Sequence, residues 1–221
     1  VITIFLRPDP FLLARQERGE VYKREKRAFR QAFAVIKGIP SAWLALHAIV
    51  IGHITMVTIM VMTPVHMAHV DVSLRLIGLV ISVHVLGMYA LSPLVGKVVD
   101  RFGRIQTILI GVIILLASAL ISGLAYADAV VQLGIGLFLL GLGWSCTLIA
   151  GSTLLAESLP AEIKASGQGL SDLSMNGGGA LGGALAGIVI TVSSYGWLCA
   201  IMALPVLFLG AKAWRLRATS K

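Results

Sequence analysis

Positions 96–104, Gly-Lys-Val-Val-Asp-Arg-Phe-Gly-Arg, place Lys97, Asp100, Arg101 and Arg104 in one short connection between two long apolar runs. A carboxylate among guanidinium groups can form charge-assisted hydrogen bonds or cap an exposed helix N-terminus. Such contacts last only while the elements that carry them stay together. The chemistry on offer is a reversible electrostatic latch, with Gly96 and Gly103 supplying the backbone freedom for a close turn. An ordinary basic loop is the plainer reading of the same residues.

Glu157 and Lys164, separated by six residues in "ESLPAEIK", are candidates to join this charge network, and Asp172 is a third, about a turn inside the apolar run that follows. Asp172 also fits a helix cap or a proton or cation site, and Asn176, the only asparagine in the chain, stands one turn further on. Two histidines sit near the middle of apolar runs, His53 in the first and His84 in the second. Ionisable groups at such positions are costly, so each invites a functional reading. Either they are neutral imidazoles packed against a neighbouring helix, or they bind substrate or carry a proton, since imidazole titrates near neutral pH. His47 lies nearer one end of the first run and its role stays open. His66 and His69 have a His-x-x-His spacing without the further donors that zinc needs, so no metal is expected. No phosphate-binding glycine loop, His-Glu-x-x-His or Gly-x-Ser-x-Gly is present, which leaves ATP-driven pumping and hydrolysis unsupported and no cofactor expected.

The elements that position these residues follow from composition. Hydrophobic residues make up 57% of the chain and charged ones 13%, against about 25% charged in an ordinary globular domain. Charge-free stretches run over 38–70, 76–96, 105–127, 129–156 and 173–211, each long enough for the roughly 20 residues that cross a bilayer core. The last is about twice that length and carries a Ser193-Ser194-Tyr195-Gly196 turn signal. Six transmembrane helices are therefore predicted, over 41–63, 74–95, 105–126, 130–155, 168–193 and 197–214, and the fold class is an all-α membrane protein. The runs are continuous and too long to be barrel strands, which excludes a β-barrel.

Of the 18 basic residues, 17 fall on one side of this arrangement, with Arg75 alone on the other. By the positive-inside rule that side is cytoplasmic, with both termini on it. The net charge of +8 is thus a topology signal and does not call for a nucleic-acid partner. Cys146 and Cys199 fall inside predicted helices and read as small buried hydrophobes. No cleavable signal peptide is visible, because the apolar start is short and the basic segment follows it. Residues 1–6 read as the end of a preceding helix, so a fragment of a longer protein is expected. Residues 7–40 form a basic amphipathic cytoplasmic segment suited to anionic headgroups or to a solvated linker. Residues 41–214 form the six-helix bundle and 215–221 a cytoplasmic tail. In the fifth span Gly178, Gly179, Gly182, Gly183 and Gly187 recur at four-residue spacing. Such a face allows close helix packing in lipid, or sliding and bending.

The charged link resembles the loop motif of the major facilitator superfamily, Gly-x-x-x-Asp-Arg-x-Gly-Arg, which follows the second helix of that fold and often recurs after the eighth. Gly96, Asp100, Arg101, Gly103 and Arg104 stand on the motif positions. The Glu157 and Lys164 spacing is similar to a Glu-x6-Arg pattern of some members, although lysine cannot make arginine's bidentate fork. The resemblance implies helices seven to twelve of a twelve-helix fold made of two parallel six-helix halves, with residues 7–40 as the central loop. It implies a secondary transporter that moves a small molecule by alternating access, driven by an ion gradient, with protons as the leading candidate, or by the substrate's own gradient. The latch around Asp100 would then hold the outward-facing state. Drug efflux is one option, although the glycine-rich fifth span lacks the Gly-Pro step of drug/proton antiporters. Implied partners are the lipid bilayer, the substrate, protons, and the missing N-terminal half or a second copy of the chain. The implied location is the plasma membrane, a bacterial inner membrane in particular. A six-helix scaffold or channel-like homo-oligomer is the alternative.

Overall fold

The computed structural model describes residues 28–219. The expected end of a preceding helix at 1–6, most of the basic segment and the last two residues of the tail lie outside the described residues. Among the described residues eight α-helices follow in chain order: α1 Ala28–Gly38, α2 Pro40–Ala68, α3 Leu74–Tyr89, α4 Ser92–Phe102, α5 Arg104–Gly123, α6 Val130–Ser158, α7 Lys164–Val192 and α8 Tyr195–Thr219. Six spans among the described residues are long and apolar enough to cross a membrane, with α3 and α4 forming one of them, Leu74–Phe102.

Helix α1 lies before the first span and buries Ala32 and Ile36 while Phe29 and Phe33 stay exposed. It packs against α2 and α7.

The second span departs from expectation. It is interrupted at Ala90 and Leu91, and Pro93 opens α4 at a position where a missing N–H costs nothing. The 96–104 connection is therefore helical as far as Phe102 rather than a loop. Its pattern explains why: Val95 and Val99, one turn apart, are buried, while Lys97, Asp100 and Arg101 point outward. Gly96 lies inside this helix with nothing within 4 Å of where a Cβ would be, so it is not a turn residue. Gly103 is the turn, with φ of 92°, a conformation that glycine adopts without steric cost.

Helix α6 is the hub. It packs along α5, α3 and α2, and its glycines face all three. Gly136 and Gly143 abut Ser122 and Leu115 of α5, Gly141 abuts the backbone of α3 at His84 and Met88, and Gly151 abuts Ile49 and Ala45 of α2. In lipid, where apolar side chains gain little by leaving one another's company, small residues let backbones close to van der Waals distance. The α7 glycines play the same part on one side only. Gly178, Gly179 and Gly182 press on Ile54, His53 and Thr58 of α2, and Gly183 touches Val57. Gly187, expected in the same face, meets nothing within 4 Å.

At the end of the bundle opposite the basic links, α2 and α8 are joined by a buried hydrogen bond of 2.8 Å between Thr63 and Tyr195. The Thr63 hydroxyl already donates to the Ile59 carbonyl, so the Tyr195 hydroxyl donates to Thr63 Oγ1. The ring of Tyr195 also stacks on His66, with centroids 4.5 Å apart. Tyr195→Phe is expected to destabilise the inserted protein by about 0.5–1.5 kcal/mol. Equilibrium unfolding in mixed micelles measures this.

Candidate functional site

Arg104 is the first residue of α5 and follows the Gly103 turn directly. Glu157 lies in the last turn of α6. Arg104 Nε donates to Glu157 Oε2 at 2.9 Å and Nη2 to Oε1 at 2.6 Å. Both side chains remain in contact with solvent, at 30% and 51% exposure, so the fork orients the two helix ends more than it stabilises the fold.

The rest of the expected network is not assembled. Asp100 acts on Arg104 only through space; it makes no ion pair or hydrogen bond among the described residues, and Glu157 takes the role expected of it. The Arg101 guanidinium lies 5.6 Å from the centroid of the Phe102 ring. Lys164 opens α7, exposed and without an ion pair among the described residues, so of the two candidates in this link only Glu157 joins the network, through Arg104. Asp172 is also exposed and unpaired among the described residues. Its backbone carbonyl accepts a hydrogen bond from Asn176 Nδ2 at 2.8 Å, which ties the Asn176 side chain to its own helix. The physical reason for this sorting is rotation: α4 turns Asp100 outward while the Gly103 turn swings Arg104 toward the end of α6.

The two mid-span histidines occupy different environments. His53 is half-buried, and its Nδ1 accepts the indole N–H of Trp144 at 3.2 Å. The neutral ring therefore carries its proton on Nε2, beside Gly179 of α7. Trp144 in turn meets Tyr89 edge to face at 6.0 Å. Tyr89 is 60% exposed, so a line of rings runs from α2 through α6 to the surface of α3. His84 is 1% exposed and closed off between α3 and α6 rather than open to a cavity. A carbonyl can only accept, so His84 Nδ1–H donates to Leu137 O at 2.8 Å. Its Nε2 has no partner among the described residues.

His66 and His69 diverge, His66 to Tyr195 and His69 to the Val65 carbonyl. Among the described residues no three His, Cys, Asp or Glu side chains could share a metal ion. Trp144 and Tyr89 were not singled out from sequence. A tryptophan in the glycine-rich middle of an otherwise aliphatic span was the available signal.

The Major Facilitator Superfamily model matches residues 44–221. The uncharacterized MFS-type transporter YddS of Bacillus subtilis (strain 168) is 36% identical over 199 residues, covering 88% of this chain and 45% of the relative. The uncharacterized MFS-type transporter YdeG of the same strain is 34% identical over 212 residues, covering 93% and 49%. The riboflavin transporter RfnT of Brucella anthropi is 31% identical over 158 residues, covering 72% and 39%. The chain thus spans about half the length or less of the curated relatives it matches. A crystal structure of a D-xylose-proton symporter superposes with a TM-score of 0.64 at 17% identity, over 79% of this chain and 47% of the symporter. That likeness concerns the fold.

Proposed function

Because the chain belongs to the major facilitator superfamily, we propose that it forms one six-helix bundle of a secondary active transporter. Two such bundles rock against each other and open a central cavity alternately to the two sides of the membrane. Membership in this family indicates a transporter rather than an enzyme.

One observation carries the proposal. Asp172 and Asn176 are exposed although they lie well inside the α7 span, about 12 and 18 Å along the helix from Lys164 at ~1.5 Å per residue. Polar groups at that depth avoid lipid and face water or protein. This face of α7 therefore lines a water-filled cavity between this bundle and a second one. In agreement, only 11% of the apolar stretch of the α7 span is buried within the chain, against 61% for α6. The second bundle is either another part of a longer polypeptide or a second copy in parallel orientation.

On this reading His53, Tyr89, Asp172 and Asn176 line the path, with Trp144 buried between the His53 and Tyr89 rings, and the Arg104–Glu157 fork holds the cytoplasmic helix ends in one state of the cycle. Asp100, unpaired within this bundle, is left to meet a partner in the other state. The driving force is a proton gradient, with His53 and Asp172 as the titratable groups on the path. The substrate is a small organic molecule; the riboflavin and D-xylose named for the similar proteins and lipophilic cations, as drug-efflux substrates, are the compounds to try. The site of action is the cytoplasmic membrane of a bacterial cell, with both termini inside.

The test has two readouts. Asn176→Cys in the membrane-inserted protein is expected to react with a membrane-impermeant maleimide, and Ile113→Cys, on the outer side of α5, is not. The native Cys146 and Cys199 are buried and give a low background. In vesicles with an imposed pH gradient, at least one compound of the panel is expected to move and to stop when the gradient collapses. An unreactive Asn176→Cys, or no movement of any compound under either gradient polarity, overturns the proposal.

A further inference from the structure

Near the basic end of the bundle, Lys212 of α8 sits among rings. Its Nζ lies 5.0 Å from the centroid of Trp43 and 5.8 Å from that of Phe208, and the His47 ring packs edge-on against Trp43 with centroids 4.4 Å apart. An ammonium has three donors and needs acceptors, yet the described residues around it offer none. His47 Nδ1 is 2.7 Å from the Trp43 carbonyl, and that contact requires the proton to sit on Nδ1. The same atom, 3.4 Å from Lys212 Nζ, then has no lone pair to give.

Nor is there a balancing charge among the described residues. Helices α1, α2, α5 and α8 contain no aspartate or glutamate between them. The one acid of α7, Asp172, makes no ion pair among the described residues. Cation–π contact offsets part of the desolvation, but an aromatic face cannot replace a hydrogen-bond acceptor, so the ammonium is left with N–H groups that no described side chain satisfies.

The depth of the site identifies what supplies it. Trp43 lies in the first turn of α2, and Trp214, 62% exposed, lies in the last turns of α8. Tryptophans at the two ends of adjacent spans mark the headgroup level. Arg215, exposed one turn beyond Lys212, adds a second cation at that level, on the side where basic residues accumulate.

We propose that Lys212, caged by Trp43, His47 and Phe208 at the α2–α8 seam, binds the headgroup phosphate of an anionic phospholipid. The phosphate oxygens accept the ammonium N–H groups, Arg215 provides a second contact, and the acyl chains lie along the exposed apolar side of α8 at Leu204 and Leu207. Basic pockets between spans on the cytoplasmic side suit such headgroups on general grounds.

The test releases the membrane-inserted chain from mixed phosphatidylglycerol and phosphatidylcholine bilayers and weighs it intact by native mass spectrometry. The protein is expected to retain one phosphatidylglycerol with roughly fivefold preference over phosphatidylcholine. Lys212→Met is expected to lose that preference and Lys212→Arg to keep it. Lys212→Met exchanges a half-buried charge for an apolar chain of similar length, and the lipid preference of the unmodified chain is in any case read without it. Equal retention of the two lipids by the unmodified chain overturns the proposal. So does an undiminished preference in Lys212→Met, or loss of bound lipid to an excess of inorganic phosphate, which would make the ligand a free ion.

Discussion

Gly141→Leu is expected to destabilise the inserted bundle by about 3 kcal/mol or more, at the upper end of the cost of overpacking a well-packed interior. A Cβ at position 141 would lie 2.5 Å from the His84 carbonyl oxygen and 2.8 Å from the Met88 amide nitrogen. Both obstacles are backbone, so no rotamer change relieves them and α3 must move away from α6. Separation would also break the His84–Leu137 hydrogen bond, leaving a buried imidazole with neither nitrogen satisfied. Gly134→Ala on the same helix is the control. Nothing lies within 4 Å of a Cβ there, and the change should stay within about 1 kcal/mol. Unfolding titrations of the two variants in the same micelles decide the matter; equal stabilities would refute the close α3–α6 approach.

Glu157→Gln separates stability from function. The glutamine keeps the size of the side chain and one acceptor oxygen but abolishes the ionic fork to Arg104. Because Glu157 is 51% exposed, the fold should lose no more than about 1 kcal/mol. If the fork holds one state of an alternating-access cycle, the same loss falls on the balance between states. Initial transport rates in vesicles are then expected to change roughly fivefold, the factor that ~1 kcal/mol corresponds to. Arg104→Lys, which retains charge but not the fork, should fall between. The doubly exchanged variant, Arg104→Glu with Glu157→Arg, should recover part of the rate. Unchanged transport in Glu157→Gln would remove the fork from the mechanism.

The proportion of this architecture that is legible without coordinates differs by element. All six spans and their side-to-side alternation follow from where charges fall, and the second span shows the limit of that reading. Its charged end belongs to α4, an amphipathic helix with Val95 and Val99 buried, because helical geometry hides two valines as readily as a loop would expose four charges. Composition drew attention to the glycines of α7, where they are densest. Those of α6, spread over three faces, carry the approach to α2, α3 and α5. Density of small residues is visible in sequence, and the direction in which each one faces is not. His53 and His84 illustrate the same point: both stand mid-span, yet one meets Trp144 and the α7 glycines while the other is sealed beside Leu137.

What the chain of residues determined by itself is insertion: which segments cross, how many, and which ends meet the basic side. Lipid imposes that locally, since each crossing must be apolar and each cation belongs near water. The tertiary structure alone decided partnership. Arg104 takes Glu157, 53 residues away, over Asp100 one turn before it. Lys212 finds Trp43 and His47 on a helix far from it in sequence. In a bilayer an apolar residue is equally at home against lipid or against protein, so periodicity does not announce which face is inward. Helix rotation is set by where backbones can approach most closely, and that depends on all the neighbours at once.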